Sequence, residues 1–241
     1  MTAPSLFLSR ATLKADPSIA ALGGLLLPDA EDLRLDADHR LMWSLFADDA
    51  DAQRDFLYRR DPQSPKSPKF YILSHRPPAQ NSVLFDVETK PFEPHLTEGD
   101  ILLFSLLANP TVSQSRPRED GRKPRGRRHD VVMAELSKIL PGSRAEARRS
   151  IIESAGRGWL ERQGAASGFV LDSAALTIDG YDQKVITSPA GKSRKGQIRI
   201  SLLSFEGQLR VVDPAAFLDR LAKGFGRARA FGCGLMLIRR A

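Results

Sequence analysis

The chain has 241 residues, 41% hydrophobic and 27% charged, with a net charge of +7 and one cysteine, Cys233. That length allows one large domain or two small ones; one cysteine excludes an intramolecular disulfide framework and a cysteine-based zinc cluster, and no apolar run is long enough for a membrane-spanning helix. Residues 1–110 hold 11 Lys and Arg against 16 Asp and Glu, whereas residues 111–241 hold 25 against 13, an asymmetry that predicts a polyanionic partner gripped mainly by the second half.

The N-terminal stretch Met1–Lys14 has no basic segment followed by an apolar one, which predicts no secretory leader and a cytoplasmic chain. Ser5–Leu13 alternates as an opening strand does. After a connection rich in Gly and Pro, Asp36–Phe46 reads as a helix. Asp36 is its expected cap, and Leu41, Met42, Leu45 and Phe46 fall on one face. Asp55–Arg60 and Phe70–His75 read as strands joined by a Pro/Ser loop. Ser82–Glu88 and Ile101–Ala108 add two more. This order predicts α+β architecture and a ferredoxin-like βαββαβ domain over residues 1–110, with no convincing second helix before residue 100.

Ser113–Arg128 has no apolar period. It carries Arg116, Arg118, Arg122, Lys123, Arg125, Arg127 and Arg128 against Glu119 and Asp120, and is predicted to be a flexible basic loop able to meet phosphates. Helices are predicted over Val131–Leu140 and Arg144–Gly164. Strands follow at Phe169–Leu176, Gln183–Thr187, Gln197–Phe205 and Gln208–Val212. Pro214 opens a helix running to Lys223, and Leu235–Arg239 is the last strand. A second α+β unit over residues 129–241 follows.

Before that last strand, Gly224, Gly226, Gly232 and Gly234 bracket Arg227 and Arg229. Glycine permits turns whose N–H groups form an anion-binding nest, and flanking arginines add bidentate phosphate contacts. A plain turn between helix and strand is the alternative. Other motifs fail on spacing. Gly191-Lys192-Ser193 lacks the earlier glycine of a P-loop, and the four glycines do not match the dinucleotide fingerprint. The acidic residues Asp29, Glu31, Asp32, Asp36 and Asp38 read as caps and solvated turns rather than a calcium loop. Of the histidines His39, His75, His95 and His129, only His39 has a suggestive position. It would lie in the first turn of its helix, where the positive end of the dipole disfavours imidazolium and suits a proton carrier.

Three segments in order carry a resemblance. They are His39-Arg-Leu-Met-Trp-Ser-Leu-Phe46 with Arg54-Asp-Phe-Leu-Tyr58, Ser204-Phe-Glu-Gly-Gln-Leu-Arg-Val-Val-Asp-Pro214, and the glycine loop 224–235. Together they resemble CasE, the repeat-processing endoribonuclease family of type I-E CRISPR systems. The resemblance implies two tandem ferredoxin-like domains resembling RNA-recognition modules, and cleavage of the CRISPR repeat hairpin at the stem base without a metal or other cofactor. It implies attack by the ribose 2′-OH, leaving a cyclic phosphate and a 5′-OH. It also implies retention on the mature guide RNA beside other Cascade subunits.

On this resemblance His39 is the catalytic histidine. Arg227 and Arg229 contact RNA, as do Lys192, Arg194 and Lys195 in a basic stretch placed against the stem. Where relatives often carry tyrosine, three residues before the histidine, this chain has Asp36. It also has Ser105 and Leu107 where relatives often show arginines before Ala108-Asn109-Pro110, and the basic loop with Arg125, Arg127 and Arg128 is a candidate to compensate. A subunit that binds structured RNA without cutting it is the competing reading, and a nucleotide-binding metabolic enzyme a distant third.

Overall fold

A computed structural model describes residues 6–48, 51–64, 67–115, 126–187 and 197–241. Two antiparallel sheets organise it. The first is formed by β1 (Phe7–Leu13), β2 (Phe56–Arg60), β3 (Lys69–Ser74) and β4 (Phe85–Pro91), in the order β2-β3-β1-β4. The second comprises β5 (Ile101–Ala108), β8 (Phe169–Leu171), β9 (Thr177–Thr187), β10 (Gln197–Val211) and β11 (Met236–Arg240). Its order is β11-β5-β10-β8, with β9 also paired to β10. Each is the 4-1-3-2 order of a ferredoxin-like βαββαβ unit. The chain therefore has α+β architecture with two such units in tandem. The second sheet begins at Ile101, before the basic segment, because β5 pairs with β10 and β11 rather than with any strand of the first sheet.

In the first unit α1 (Pro17–Ala21) and α2 (Gly23–Leu26) occupy the Gly/Pro-rich connection, and α3 (Glu31–Trp43) covers the sheet. The face of Leu41, Met42, Leu45 and Phe46 is buried against Phe56, Tyr58, Phe70, Ile72 and Phe85, with Phe46 and Phe56 stacked at 4.4 Å. The position of a second helix, residues 75–84, is a loop. Pro77 and Pro78 deny it helical hydrogen bonds. Arg76 ties it down instead, with ion pairs to Asp48 at 2.6 Å and Asp55 at 3.2 Å.

The second unit buries alternate residues of β5 (Leu102, Phe104, Leu106 and Ala108) against α5 (Arg144–Ala165) and α6 (Pro214–Lys223). Trp159 of α5 stacks on Phe205 at 5.6 Å. Asp213 caps α6 by accepting from the Ala216 N–H at 3.0 Å, with Pro214 in the first turn as expected. A short α4 (Val131–Leu136) is capped by Asp130, which accepts from Met133 N–H.

Two strand predictions are corrected. Gln197–Phe205 and Gln208–Val212 are one strand, β10, because Gly207 does not make a turn. A Cβ there would stand 2.8 Å from the Ala175 carbonyl oxygen, so its glycine answers to a close chain crossing. Ser113–Arg128 is not loop throughout. β6 (Thr111–Ser115) pairs with β7 (Gly126–Asp130) as the two arms of a hairpin, while residues 116–125 lie outside the described residues. The two units meet through Leu57, Leu73 and Leu235 and through Leu35, Leu107, Ile186 and Phe231. Among the described residues no helix is long and apolar enough to cross a membrane.

Candidate active site

Helix α3 begins at Glu31, with Ala30 as its N-terminal cap. Asp36 is therefore not a cap but a mid-helix residue paired with Arg40 at 3.2 Å. His39 consequently lies in the third turn, beyond the reach of the dipole's positive end, which fades after the first. The expected dipole effect on His39 is thus replaced by a tertiary one. Burial first, and the nearby Arg54 cation second, hold its pKa below the ordinary 6.5, while Asp36 and the Ala230 backbone pull weakly the other way. His39 Nδ1 is buried and, among the described residues, makes no hydrogen bond of good geometry.

What covers His39 is the C-terminal loop. The Phe231 ring lies 5.9 Å from the imidazole and the Trp43 ring 6.4 Å. Phe231 belongs to a 3-10 turn, Arg229–Phe231, entered through Ala228 at φ 55° and left through Gly232 at φ 77°. Ala228 is the only described non-glycine residue with positive φ, a strained backbone of the kind that clusters at functional sites. Tyr58 of β2 is fully buried and donates its OH to the Ala230 carbonyl at 2.9 Å, fastening the loop to the first sheet.

The loop glycines serve packing more than anion capture. A Cβ at Gly224 would come within 2.8 Å of Leu57, one at Gly226 within 2.8 Å of the Asn109 carbonyl oxygen, and one at Gly234 within 2.6 Å of the Phe225 carbonyl oxygen. Gly232 sits against the Tyr58 ring. The N–H groups of Gly224, Phe225, Arg227, Phe231 and Gly234 all donate to protein carbonyls. The expected nest is therefore largely engaged within the protein, and the loop's side chains remain as its anion-facing groups. Asn109 holds the loop from below. Its carbonyl accepts from Arg227 N–H at 3.2 Å, while its side-chain amide donates to the Ser201 carbonyl at 2.7 Å.

Arg227 is exposed, and Arg229 is half-buried with one Nη donating to the Lys223 carbonyl. Arg229 also lies close enough to Arg54 and Arg220 to depress both guanidinium pKa values, after the larger effect of burial. Arg54 and Tyr58 belong to the Arg54–Tyr58 segment that carries the family resemblance, which implies no role for either. Fifteen residues separate Arg54 from His39, and no helical or strand period joins them. Only the fold of α3 onto β2 makes them neighbours. Ser105 accepts from Arg59 Nη1 at 2.9 Å, so an arginine does reach that position, from β2 rather than from β5.

Arg128 is exposed on β7, opposite Ser113. The Arg127 side chain and the residues Arg125, Lys192, Arg194 and Lys195 lie outside what is described. Burial pushes the Cys233 thiol up to about 12, which leaves it unfit as a nucleophile. Among the described residues, no group of three His, Cys, Asp or Glu side chains is placed to hold a metal ion.

This arrangement, a half-buried neutral imidazole roofed by a glycine-rich arginine loop across two ferredoxin-like units, coincides with a family match along residues 6–240 to the CRISPR associated protein family. The chain belongs to this family. Among the family's proteins, the CRISPR system Cascade subunit CasE of Escherichia coli strain K12 is 28% identical over 204 residues, covering 82% of this chain and 88% of that one. The fold matches Thermus thermophilus Cse3, solved bound to an RNA representing a pre-cleavage complex. That match has a TM-score of 0.63 and 23% identity over 98% of this chain and 99% of the other. Cas6e from Escherichia coli K-12 matches with a TM-score of 0.62 and 21% identity over 98% of this chain and 100% of that one.

Proposed function

We propose that this chain is a CRISPR repeat-processing endoribonuclease of CasE type, acting in the cytoplasm on the repeat hairpin and remaining with the mature guide RNA in a Cascade assembly. The observation that carries this reading is His39. It is held neutral by burial and Arg54 and roofed by the loop that bears Arg227 and Arg229. Family membership supplies the substrate class, and the charge of the second half suits it.

The reaction is a transesterification that requires no metal. The 2′-oxygen upstream of the cut attacks phosphorus as its proton passes to a base. The bond from phosphorus to the 5′-oxygen breaks, and that oxygen takes a proton. The products are a 2′,3′-cyclic phosphate and a 5′-OH. A neutral imidazole is the form that accepts the first proton. Clustered guanidinium groups offset the charge that gathers on the phosphorane.

The pH dependence follows from the depressed pKa. The competent, neutral form of His39 predominates above that pKa and is lost as pH falls through it. The pH profile of kcat/KM, which reports the RNA-free protein, is therefore expected to climb with pH to a plateau, with a midpoint below 6.5. A midpoint above 6.5 in that kcat/KM profile would remove His39 from the base role.

Arg227, exposed on the loop, suits a phosphate contact. Arg227→Ala is expected to weaken hairpin binding across RNA sequences and to flatten the slope of log K against log salt by about 0.7–0.9. Filter binding over a salt series checks this, and an unchanged slope would place Arg227 away from the RNA backbone. The deciding assay is denaturing-gel cleavage of a labelled repeat hairpin in EDTA. A single cut at the stem base, blocked by a 2′-deoxy substitution there, supports the endoribonuclease. Tight binding of the cognate repeat without a cut makes the chain a guide-holding subunit, the reading favoured by Asp36 standing where relatives often carry tyrosine.

A further inference from the structure

Beside His39 stands Arg54, with Arg229 close to it, and among the described residues no carboxylate pairs with either. Arg54 enters β2 half-buried, with its Nη1 atom buried and lacking any hydrogen-bond acceptor among the described residues. Arg229 approaches it from the loop, and their charges repel. Among the described residues neither arginine forms an ion pair. This contrasts with Arg60, paired to buried Asp38 at 2.8 Å, and with Arg76, paired to Asp48 and Asp55. A third guanidinium, Arg220, adds to the same field and has its own Nε buried without an acceptor among the described residues.

Buried donors are normally satisfied, and a buried charge left unpaired is costly. Two partly desolvated guanidinium groups from different ends of the chain, one with an idle donor, are the complement of a tetrahedral oxyanion. We propose that Arg54 is a catalytic phosphate ligand. With Arg229 it grips the non-bridging oxygens of the phosphodiester cut beside His39 and offsets the charge gained in the phosphorane. This rests on the endoribonuclease reading and assigns part of the charge stabilisation it needs to a residue outside the glycine loop.

The test uses the full chain and a labelled repeat hairpin, with Arg54→Gln, Arg54→Lys and Arg54→Ala beside wild type. Arg54→Gln is expected to slow single-turnover cleavage by about 10²-fold or more. It should also lower the salt slope of binding by about 0.7–0.9, the loss of one phosphate contact. Arg54→Lys should recover part of the rate, and methylguanidinium in solution should partly rescue Arg54→Ala. The RNA-free variants should unfold no lower than wild type, since removing Arg54 relieves its repulsion with Arg229.

Cleavage by Arg54→Gln within about 3-fold of wild type, or an unchanged salt slope with a lowered melting temperature, overturns the proposal. Failure of wild type to cut despite tight binding sinks the endoribonuclease reading instead. The salt slope then still decides whether Arg54 holds a phosphate.

Discussion

His39→Ala is expected to lower single-turnover cleavage of the repeat hairpin by about 10³-fold, inside the 10²–10⁴ range usual for a positioned general base. Binding should change little, because the imidazole is half-buried against Phe231 and Trp43 and makes no charged contact with solvent-facing RNA in its neutral form. The cavity left by the ring lies at the end of α3, outside the main core, so the variant should fold. Paired measurement of cleavage rate and equilibrium binding checks this. Cleavage and binding falling by the same factor would mean that His39 supports the loop rather than the chemistry.

Gly234→Ala should be strongly damaging. Gly234 sits at φ 90°, and a Cβ would stand 2.6 Å from the Phe225 carbonyl oxygen and 3.2 Å from Arg229 Cγ. The backbone conformation alone costs an alanine about 1–3 kcal/mol. The clash cannot be relieved by a side-chain rotation, because the nearer atom is backbone, and the Gly234 N–H is itself bonded to the Leu107 carbonyl at 2.8 Å. A loss of about 3 kcal/mol is expected, lowering the melting temperature by roughly 6–12 °C for a chain of this size.

Cleavage should fall further than stability, because moving Gly234 displaces Arg229 and, through it, the roof over His39. Gly180→Ala is the matched control. It also has positive φ, at 67°, but a Cβ there meets nothing within 4 Å. Its cost should be confined to the backbone, about 1 kcal/mol. Equal melting temperatures for the two variants would show that close packing at Gly234 does not matter.

The apolar patterns carried most of the fold. Leu41, Met42, Leu45 and Phe46 sit one helical turn apart and turn inward together. The alternation in Ile101–Ala108 and the apolar run before His75 read correctly as strands because burial of one face leaves a period of two. Pro77 and Pro78 explain the missing helix without any structure. The limits of α3 were harder to place. Glu31–Leu35 shows no sharp apolar onset and Asp36 imitates a cap, so the sequence pattern places the start of the helix five residues late and gives His39 the wrong electrostatics. The break between Gln197–Phe205 and Gln208–Val212 arises because sequence cannot distinguish a glycine that turns from one, like Gly207, that lets another chain segment pass.

By itself the sequence determined α+β architecture, a ferredoxin-like first unit and a basic second half suited to a polyanion, which depend on local period and composition written along the chain. The second ferredoxin-like unit, and the joining of His39 to the glycine–arginine loop in one site, are what the resemblance to CasE implies. Tertiary structure alone decided that the loop roofs His39 and that its glycines answer to Leu57, Asn109 and Phe225. It also decided that Arg54 stands beside His39 with no carboxylate partner among the described residues. Those depend on which surfaces meet when the second unit closes on the first, and on the desolvation that follows. Burial and unpaired charge are properties of the packed molecule, with no spacing in the chain to announce them.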